Sequence, residues 1–386
     1  MKPLSVVRGA LERHGVREIM VRSAEVAGAI HLEVGQPDFE TPGHIQDAAR
    51  QAIENKWFGY THNAGILQLR QSVCGFINRT YGLNQNPENV IVTPGAVTSL
   101  AMGVLAVVDP GEEVLVPDPS WPNYRQMVHS HGAVPVFYSL RPENGFYPSI
   151  EELERLVTSR TKMIMINTPG NPTGAVFDRA MMVELLEFAQ RHDLYLLCDE
   201  VYDRIVFDGE HVPALSLDGD GRVLTVYGVS KNFAMTGWRV GFLLANPGIA
   251  SVAERAAEPL FSCVNSIAQA AAIAAYEGPQ DTTEYMTERY RIRRDKTFAV
   301  FERYGVRAYR PGGAFYMLVD CSGTDLAPDQ IALRLLEEQS VAVGPGDTFG
   351  GVTERMIRIS LASDDADLID GAERIATFLK RHGYGR

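Results

Sequence analysis

Three short runs in the middle of this chain are apolar at nearly every position: Met163 to Asn167, Tyr195 to Cys198 and Val223 to Tyr227. A strand with one face in water alternates polar and apolar residues, and these runs do not, so both of their faces are expected to be covered. Helical stretches such as Ala180 to His192 separate them. The same alternation begins earlier, with helices at Ile45 to Ile53 and Leu67 to Thr80, a strand at Val90 to Thr93, a helix at Ala96 to Val107 and a strand at Val114 to Val116. This order predicts an α/β fold, a mostly parallel central sheet between layers of helices. In such sheets ligands bind beyond the carboxyl ends of the strands. The residues just after each strand are therefore the ones to read for chemistry.

After about residue 280 the pattern changes. A charged helix at Thr282 to Tyr304, strands at Ala314 to Val319 and Met356 to Leu361, and a helix at Ala366 to Arg381 predict a smaller α+β domain. The expected division is a large domain over 45–280 and a small domain built from 1–44 and 281–386. A chain of 386 residues accommodates both.

Composition narrows the partners. The net charge of −12 argues against nucleic acid, which needs a basic footprint. The four cysteines, Cys74, Cys198, Cys263 and Cys321, form no Cys-x-x-Cys pair and fit the reduced thiols of a cytoplasmic protein. Met1 to Met20 carries Lys2, Arg8, Glu12, Arg13, Arg17 and Glu18, with no apolar leader core. The longest soft run, Ala96 to Val108, is too short to span a bilayer, so no membrane partner is expected. His129 and His131 are two residues apart, do not share a helix face and lack a third ligand nearby, so no metal is expected. The dinucleotide, P-loop, nucleophile-elbow and H-E-x-x-H patterns are absent.

The strand ends are rich in chemistry. Lys231 follows the buried run Val223 to Tyr227, in Gly228-Val229-Ser230-Lys231. An amine there must be desolvated or given work, and a desolvated amine near another cation is a carbonyl-attacking nucleophile. Arg239, in Trp238-Arg239-Val240-Gly241, supplies that cation. Asp199 ends the run Leu194 to Cys198 and heads Asp199-Glu200-Val201-Tyr202. A carboxylate so placed wants a cation, or else caps a following helix. Asn167-Thr168-Pro169-Gly170-Asn171-Pro172-Thr173-Gly174 forces an irregular loop in which Asn171 offers its amide. Thr93-Pro94-Gly95-Ala96-Val97 reads as strand, glycine turn and helix start, the geometry of a phosphate cradle. Trp121, in Pro119-Ser120-Trp121, suits either a flat heterocycle or an ordinary core. Arg358 lies inside the apolar strand Met356 to Ser360 and wants a bidentate anion or an internal ion pair.

In order and spacing these segments resemble the class I/II aminotransferases, the fold-type I transferases that use pyridoxal 5′-phosphate (PLP). The resemblance runs from residue 35 to 362. It implies an aminotransferase moving an amino group between an L-amino acid and a 2-oxo acid, with Lys231 as the Schiff-base lysine and proton carrier. It implies that Asp199 keeps the pyridine nitrogen protonated, an electron sink, while Asn171 and Tyr202 bind the cofactor's 3-oxygen. Gly95, Ala96 and Val97, with Ser230 and Arg239, would hold the phosphate, and Trp121 would stack on the ring. Gly35, Trp121, Asn171 and Arg358 would contact substrate, Arg358 through its α-carboxylate. Tyr60, in Gly59-Tyr60-Thr61-His62-Asn63-Ala64-Gly65, matches a tyrosine that reaches the neighbouring subunit's phosphate, which implies a homodimer.

A β-lyase or an aminocyclopropane-carboxylate-synthase-like enzyme would use the same Cα–H step. A PLP-sensing regulatory module would carry an added helix-turn-helix domain, for which the chain before residue 35 has no room. Gly228 stands where some relatives have serine. No second arginine is apparent for a distal carboxylate, which favours neutral or aromatic donors over dicarboxylates.

Overall fold

The computed structural model describes residues 4–9, 11 and 15–385. Lys2, Glu12 and Arg13, counted above against an apolar leader, lie outside the described residues.

The apolar runs assemble into one seven-stranded sheet: β1 (Val90–Thr93), β2 (Glu113–Asp118), β3 (Val134–Ser139), β4 (Thr161–Asn167), β5 (Tyr195–Asp199), β6 (Val223–Gly228) and β7 (Gly241–Leu244). Its order is β1-β7-β6-β5-β4-β2-β3. Pairing is parallel except at β7, which runs antiparallel to both β1 and β6. Side chains alternate between two separate cores. Met163, Met165, Leu197 and Leu224 enter one, and Ile164, Ile166, Leu196 and Val223 enter the other. Both faces being covered is the physical reason these strands carry no polar alternation. The sequence reading did not foresee β3 or β7. β3 is an edge strand with Val134 and Phe137 exposed, and β7 has only four residues.

Helices form where the 3.6-residue period places them: Gly43–Glu54, Leu67–Tyr81, Ala96–Val107, Arg179–Arg191, Asp281–Tyr304 and Asp365–Arg381. Asp178 caps one by accepting the Met181 N–H at 2.9 Å. Gly82 ends another in the left-handed conformation that glycine adopts without strain.

A second, antiparallel sheet has the order β10-β11-β9-β8, from β8 (Ala308–Tyr309), β9 (Tyr316–Asp320), β10 (Gly344–Pro345) and β11 (Met356–Ser360). The strand expected from Ala314 starts at Tyr316, because Ala314 has φ +56°, outside extended geometry. The N-terminal segment lies against this unit. Ile30–His31 pairs in parallel with Val341–Ala342, and the Ser360 N–H donates to the Leu32 carbonyl at 2.8 Å. Buried Arg293 binds Asp38 through two bonds of 2.8 Å and Asp365 at 2.9 Å. These contacts bring residues 33–38 beside β11, so the Glu33 carbonyl reaches Arg358 although the two are far apart in sequence. Among the described residues, no helix is long and apolar enough to cross a membrane.

Candidate active site

Beyond the carboxyl ends of β4, β5 and β6 lies a cavity of about 510 Å³. Ala96, Val97, Trp121, Asn171, Asp199, Tyr202, Ser230, Lys231, Arg239, Gly35 and Arg358 all line it. Gly95 backs its wall, and Tyr60 does not reach it.

Lys231 follows β6 in a single helical turn, Val229–Asn232. Its Nζ donates to the Gly35 carbonyl at 2.6 Å and lies 5.5 Å from the centre of the Phe315 ring and 5.9 Å from that of Tyr202. Loss of water around the amine, reinforced by the positive charges of Arg358 and Arg239, brings its pKa down to about 8, against the opposing pull of Asp199. The amine is therefore far more nucleophilic near neutral pH than a surface lysine.

Asp199 is buried at the tip of β5 and caps no helix. Its carboxylate accepts the Tyr124 hydroxyl at 2.5 Å and the Val201 N–H at 3.3 Å. Burial lifts its pKa to about 6 while those two donors restrain the rise. Asn167 ends β4 next door, donating to the Asp199 carbonyl at 2.9 Å and accepting the Asn171 N–H at 2.7 Å. The irregular loop is thereby pinned to the sheet, with Asn171 turned into the cavity.

The glycine turn behaves as a cradle. Gly95 has φ +84°, and a Cβ there would run into the Arg239 guanidinium. A Cβ at Gly241 would strike the backbone of Gly95 and Ala96, so this glycine lets β7 pass close beneath the loop. The Thr93 and Ser99 hydroxyls share a bond of 2.6 Å under the turn. The first N–H groups of the helix Ala96–Val107 thus face the cavity beside Ser230 and the exposed Arg239, an anion-binding arrangement.

Arg358 occupies the opposite wall. It is buried, and among the described residues its hydrogen-bond partners are an amide and a backbone carbonyl rather than the carboxylate of an internal ion pair. Its Nη1 donates to Asn171 Oδ1 at 3.0 Å and its Nη2 to the Glu33 carbonyl. The rings of Tyr316 and Phe349 pack on the guanidinium, with centres 4.4 and 4.6 Å away. Its Nε, itself buried, has no partner among the described residues. A buried guanidinium lining a cavity suits a planar anion.

The family model for aminotransferase class I and II matches residues 27–375. The chain belongs to this family. It is 37% identical to the aspartate/prephenate aminotransferase of Thermus thermophilus, the match covering 91% of each chain. It is 35% identical to the aromatic-amino-acid aminotransferase 2 of Thermococcus litoralis, covering 95% of each. Among solved structures, the Thermus thermophilus aspartate aminotransferase with maleate superposes with a TM-score of 0.93 at 35% identity, covering 98% of this chain and all of that one. The protein is an aminotransferase of α/β fold.

Several residues of this aminotransferase's cavity carried no readable sequence signal. Tyr124 holds Asp199 yet sits inside a segment read only for its tryptophan. Tyr316, whose hydroxyl meets that of Tyr202 at 3.0 Å, and Phe349 come from loops and strands far from any motif. Arg17 also lines the cavity, from the helix Gly15–Ser23. It is a cation that the search for a second arginine missed, because nothing in its local sequence sets it apart. Tyr60 is 94% exposed and points away from this chain's own cavity.

Proposed function

We propose that this aminotransferase binds PLP in the cavity and that Lys231, Asp199 and Arg358 carry its chemistry. The observation that bears most weight is the meeting, in one cavity, of a desolvated amine and a buried guanidinium that has no carboxylate partner among the described residues. The residues fit the cofactor. The helix start at Gly95, Ala96 and Val97, with Ser230 and Arg239, suits its phosphate. Asp199 suits a protonated ring nitrogen, Asn171 and Tyr202 suit the 3-oxygen, and Trp121 suits the ring face. Bound PLP supplies an electron sink for breaking the substrate's Cα–H bond.

On this reading Lys231 would hold the cofactor and would carry the proton taken from Cα. Asp199 would keep the ring nitrogen protonated. Arg358 and Asn171 bind the α-carboxylate and fix which Cα bond faces the amine. Gly35 contributes through its backbone, where a side chain would collide with Tyr316.

Tyr60, turned outward, serves the cavity of a second copy, which makes the working unit a homodimer in the cytoplasm. Residues 45–280 form the cofactor domain, and 1–44 with 281–386 form the small domain that carries Arg358. Val16, Met20, Trp121 and Phe349 give the side-chain end of the cavity an apolar lining, which favours neutral or aromatic donors. Arg17 is the group through which a dicarboxylate would be accepted instead.

Borohydride reduction followed by peptide mapping tests the core of this reading, with the pyridoxyl group expected on Lys231. A label on Lys162 or any other lysine would sink it. A panel of donors against 2-oxoglutarate and pyruvate tests the substrate class, and a preference for aspartate or glutamate overturns that part.

A further inference from the structure

Behind the cavity lies a second polar cluster that the chemistry above leaves unused. Each cavity residue at a strand end has a neighbour in sequence that does not line the cavity: Glu200 beside Asp199, Asp203 beside Tyr202, Asn232 beside Lys231. Glu200 is fully buried. Its carboxylate accepts His211 Nε2 at 3.0 Å, the Tyr227 hydroxyl at 2.5 Å and the Ala214 N–H at 2.8 Å. Asp203, also buried, accepts the Tyr81 hydroxyl at 2.5 Å and the Asn232 amide at 2.6 Å.

The His211 side chain is only 3% exposed, and the Tyr81 ring meets it edge-on with centres 5.6 Å apart. Burial opposes its cation, but Glu200 and Asp203 together lift its pKa above the ordinary histidine value. The other cation near the cluster, Arg204, is turned to Gln280 at 2.5 Å and to the Phe76 ring. Around His211 stand Glu200, bonded to its Nε2, the Tyr81 ring, and Asp203, whose charge acts on it, while the Tyr81 and Tyr227 hydroxyls are bonded to the two carboxylates. Those facing Asp199 are Tyr124, Tyr202, Lys231 and, through the chain itself, Glu200.

We propose that His211 is a positioning residue: held as a cation between Glu200 and Asp203, it cancels the Glu200 charge and so keeps Asp199 ionised against the cofactor's ring nitrogen. This rests on the reading of Asp199 given above. Asp199 and Glu200 are consecutive, so their side chains leave the backbone on opposite sides. A bare Glu200 charge one residue away adds to the burial that already favours protonated Asp199. Protonated Asp199 donates where it must accept. The cluster then works as a charge balance set behind the reacting wall.

The test is PLP affinity of the intact protein across pH, by equilibrium dialysis, for wild type, His211→Gln, Glu200→Gln and the double variant. Gln keeps an N–H donor near the place of Nε2 but no charge. His211→Gln should move the acid midpoint of PLP binding to higher pH, and Glu200→Gln should move it lower. Each shift is on the order of one pH unit, the scale of one charge several ångströms away at an effective dielectric of about 20. The double variant should return close to wild type. Unmoved midpoints, or affinity weakened equally at every pH, would show a structural role and overturn the inference. Should His211→Gln fail to give a cooperative thermal transition, the sign of the Glu200→Gln shift decides alone. A wild-type chain that binds no PLP would overturn the cofactor reading instead.

Discussion

The cavity has two walls of different origin. One is the row of strand ends: Asn167 and Asp199 close β4 and β5, and Lys231 stands in the helical turn that follows β6. Sheet register aligns them: Asn167 stands opposite Asp199, and Asp199 opposite Val226. The facing wall is gathered from Gly35, Tyr316, Phe349 and Arg358, joined only by long-range contacts such as that between Ser360 and Leu32. The difference teaches a division of labour. On the reading proposed above, the sheet wall presents the groups that handle protons, and the facing wall recognises substrate and, through the charge of Arg358, lowers the pKa of Lys231.

The comparison breaks most sharply at the amine. Lys231→Ala should cut transamination by about 10⁴-fold, the upper range for a positioned acid–base group, while the chain stays folded. Single-turnover kinetics with added PLP measure this, and near-normal rates would remove Lys231 from the sheet wall's chemistry. On the facing wall, Arg358→Ala removes a buried charge–carboxylate contact worth about 2–5 kcal/mol, so kcat/KM should fall about 30-fold or more for every donor. A small loss confined to some donors would make Arg358 structural.

The influence of one wall on the other is read by pH. With the Lys231 pKa near 8, the unprotonated amine is scarce below that value. Capture of PLP by the apo chain should therefore rise about tenfold per pH unit up to that point and then level off. Stopped-flow capture rates that keep climbing to the ordinary lysine range would mean that neither burial nor the charges of Arg358 and Arg239 depress the amine. The smallest effect is expected at the hydroxyl pair joining the walls. Tyr316→Phe loses one hydrogen bond, about 0.5–1.5 kcal/mol net, and should raise the donor KM about 2- to 10-fold. A change in PLP affinity instead would place that hydroxyl with the sheet wall.

The same division decides what could be read from sequence. Lys231, Asp199, Asn171 and the Gly95 turn were legible because strand, turn and function share a few consecutive residues. The helix Leu67–Tyr81 was placed to within a residue because its apolar period is local. Tyr124, Tyr316, Phe349 and Arg17 were not legible, since their roles exist only after distant segments pack. β7 escaped for a related reason. Its four residues carry no turn or alternation signal, and what fixes it as a strand is pairing with β1 and β6. Arg358 stood out despite its distance because a charge among Met356, Ile357 and Ile359 of a five-residue strand is conspicuous in any context.

The placement of β7 also orders the birth of the molecule. Synthesis runs from the amino end, and domains condense as their parts emerge. β1 carries the turn at Gly95, but its one sheet neighbour is β7, with Val90 opposite Leu244 and Thr93 opposite Gly241. Residues 94–240 must leave the ribosome before that strand has a partner. Ile30 waits longer still, for Val341. Contacts spanning so much chain form slowly. A nascent chain stopped short of residue 241 would lack the strand that pairs beneath the Gly95 turn, which on the proposed reading leaves cofactor capture to the last stages of synthesis.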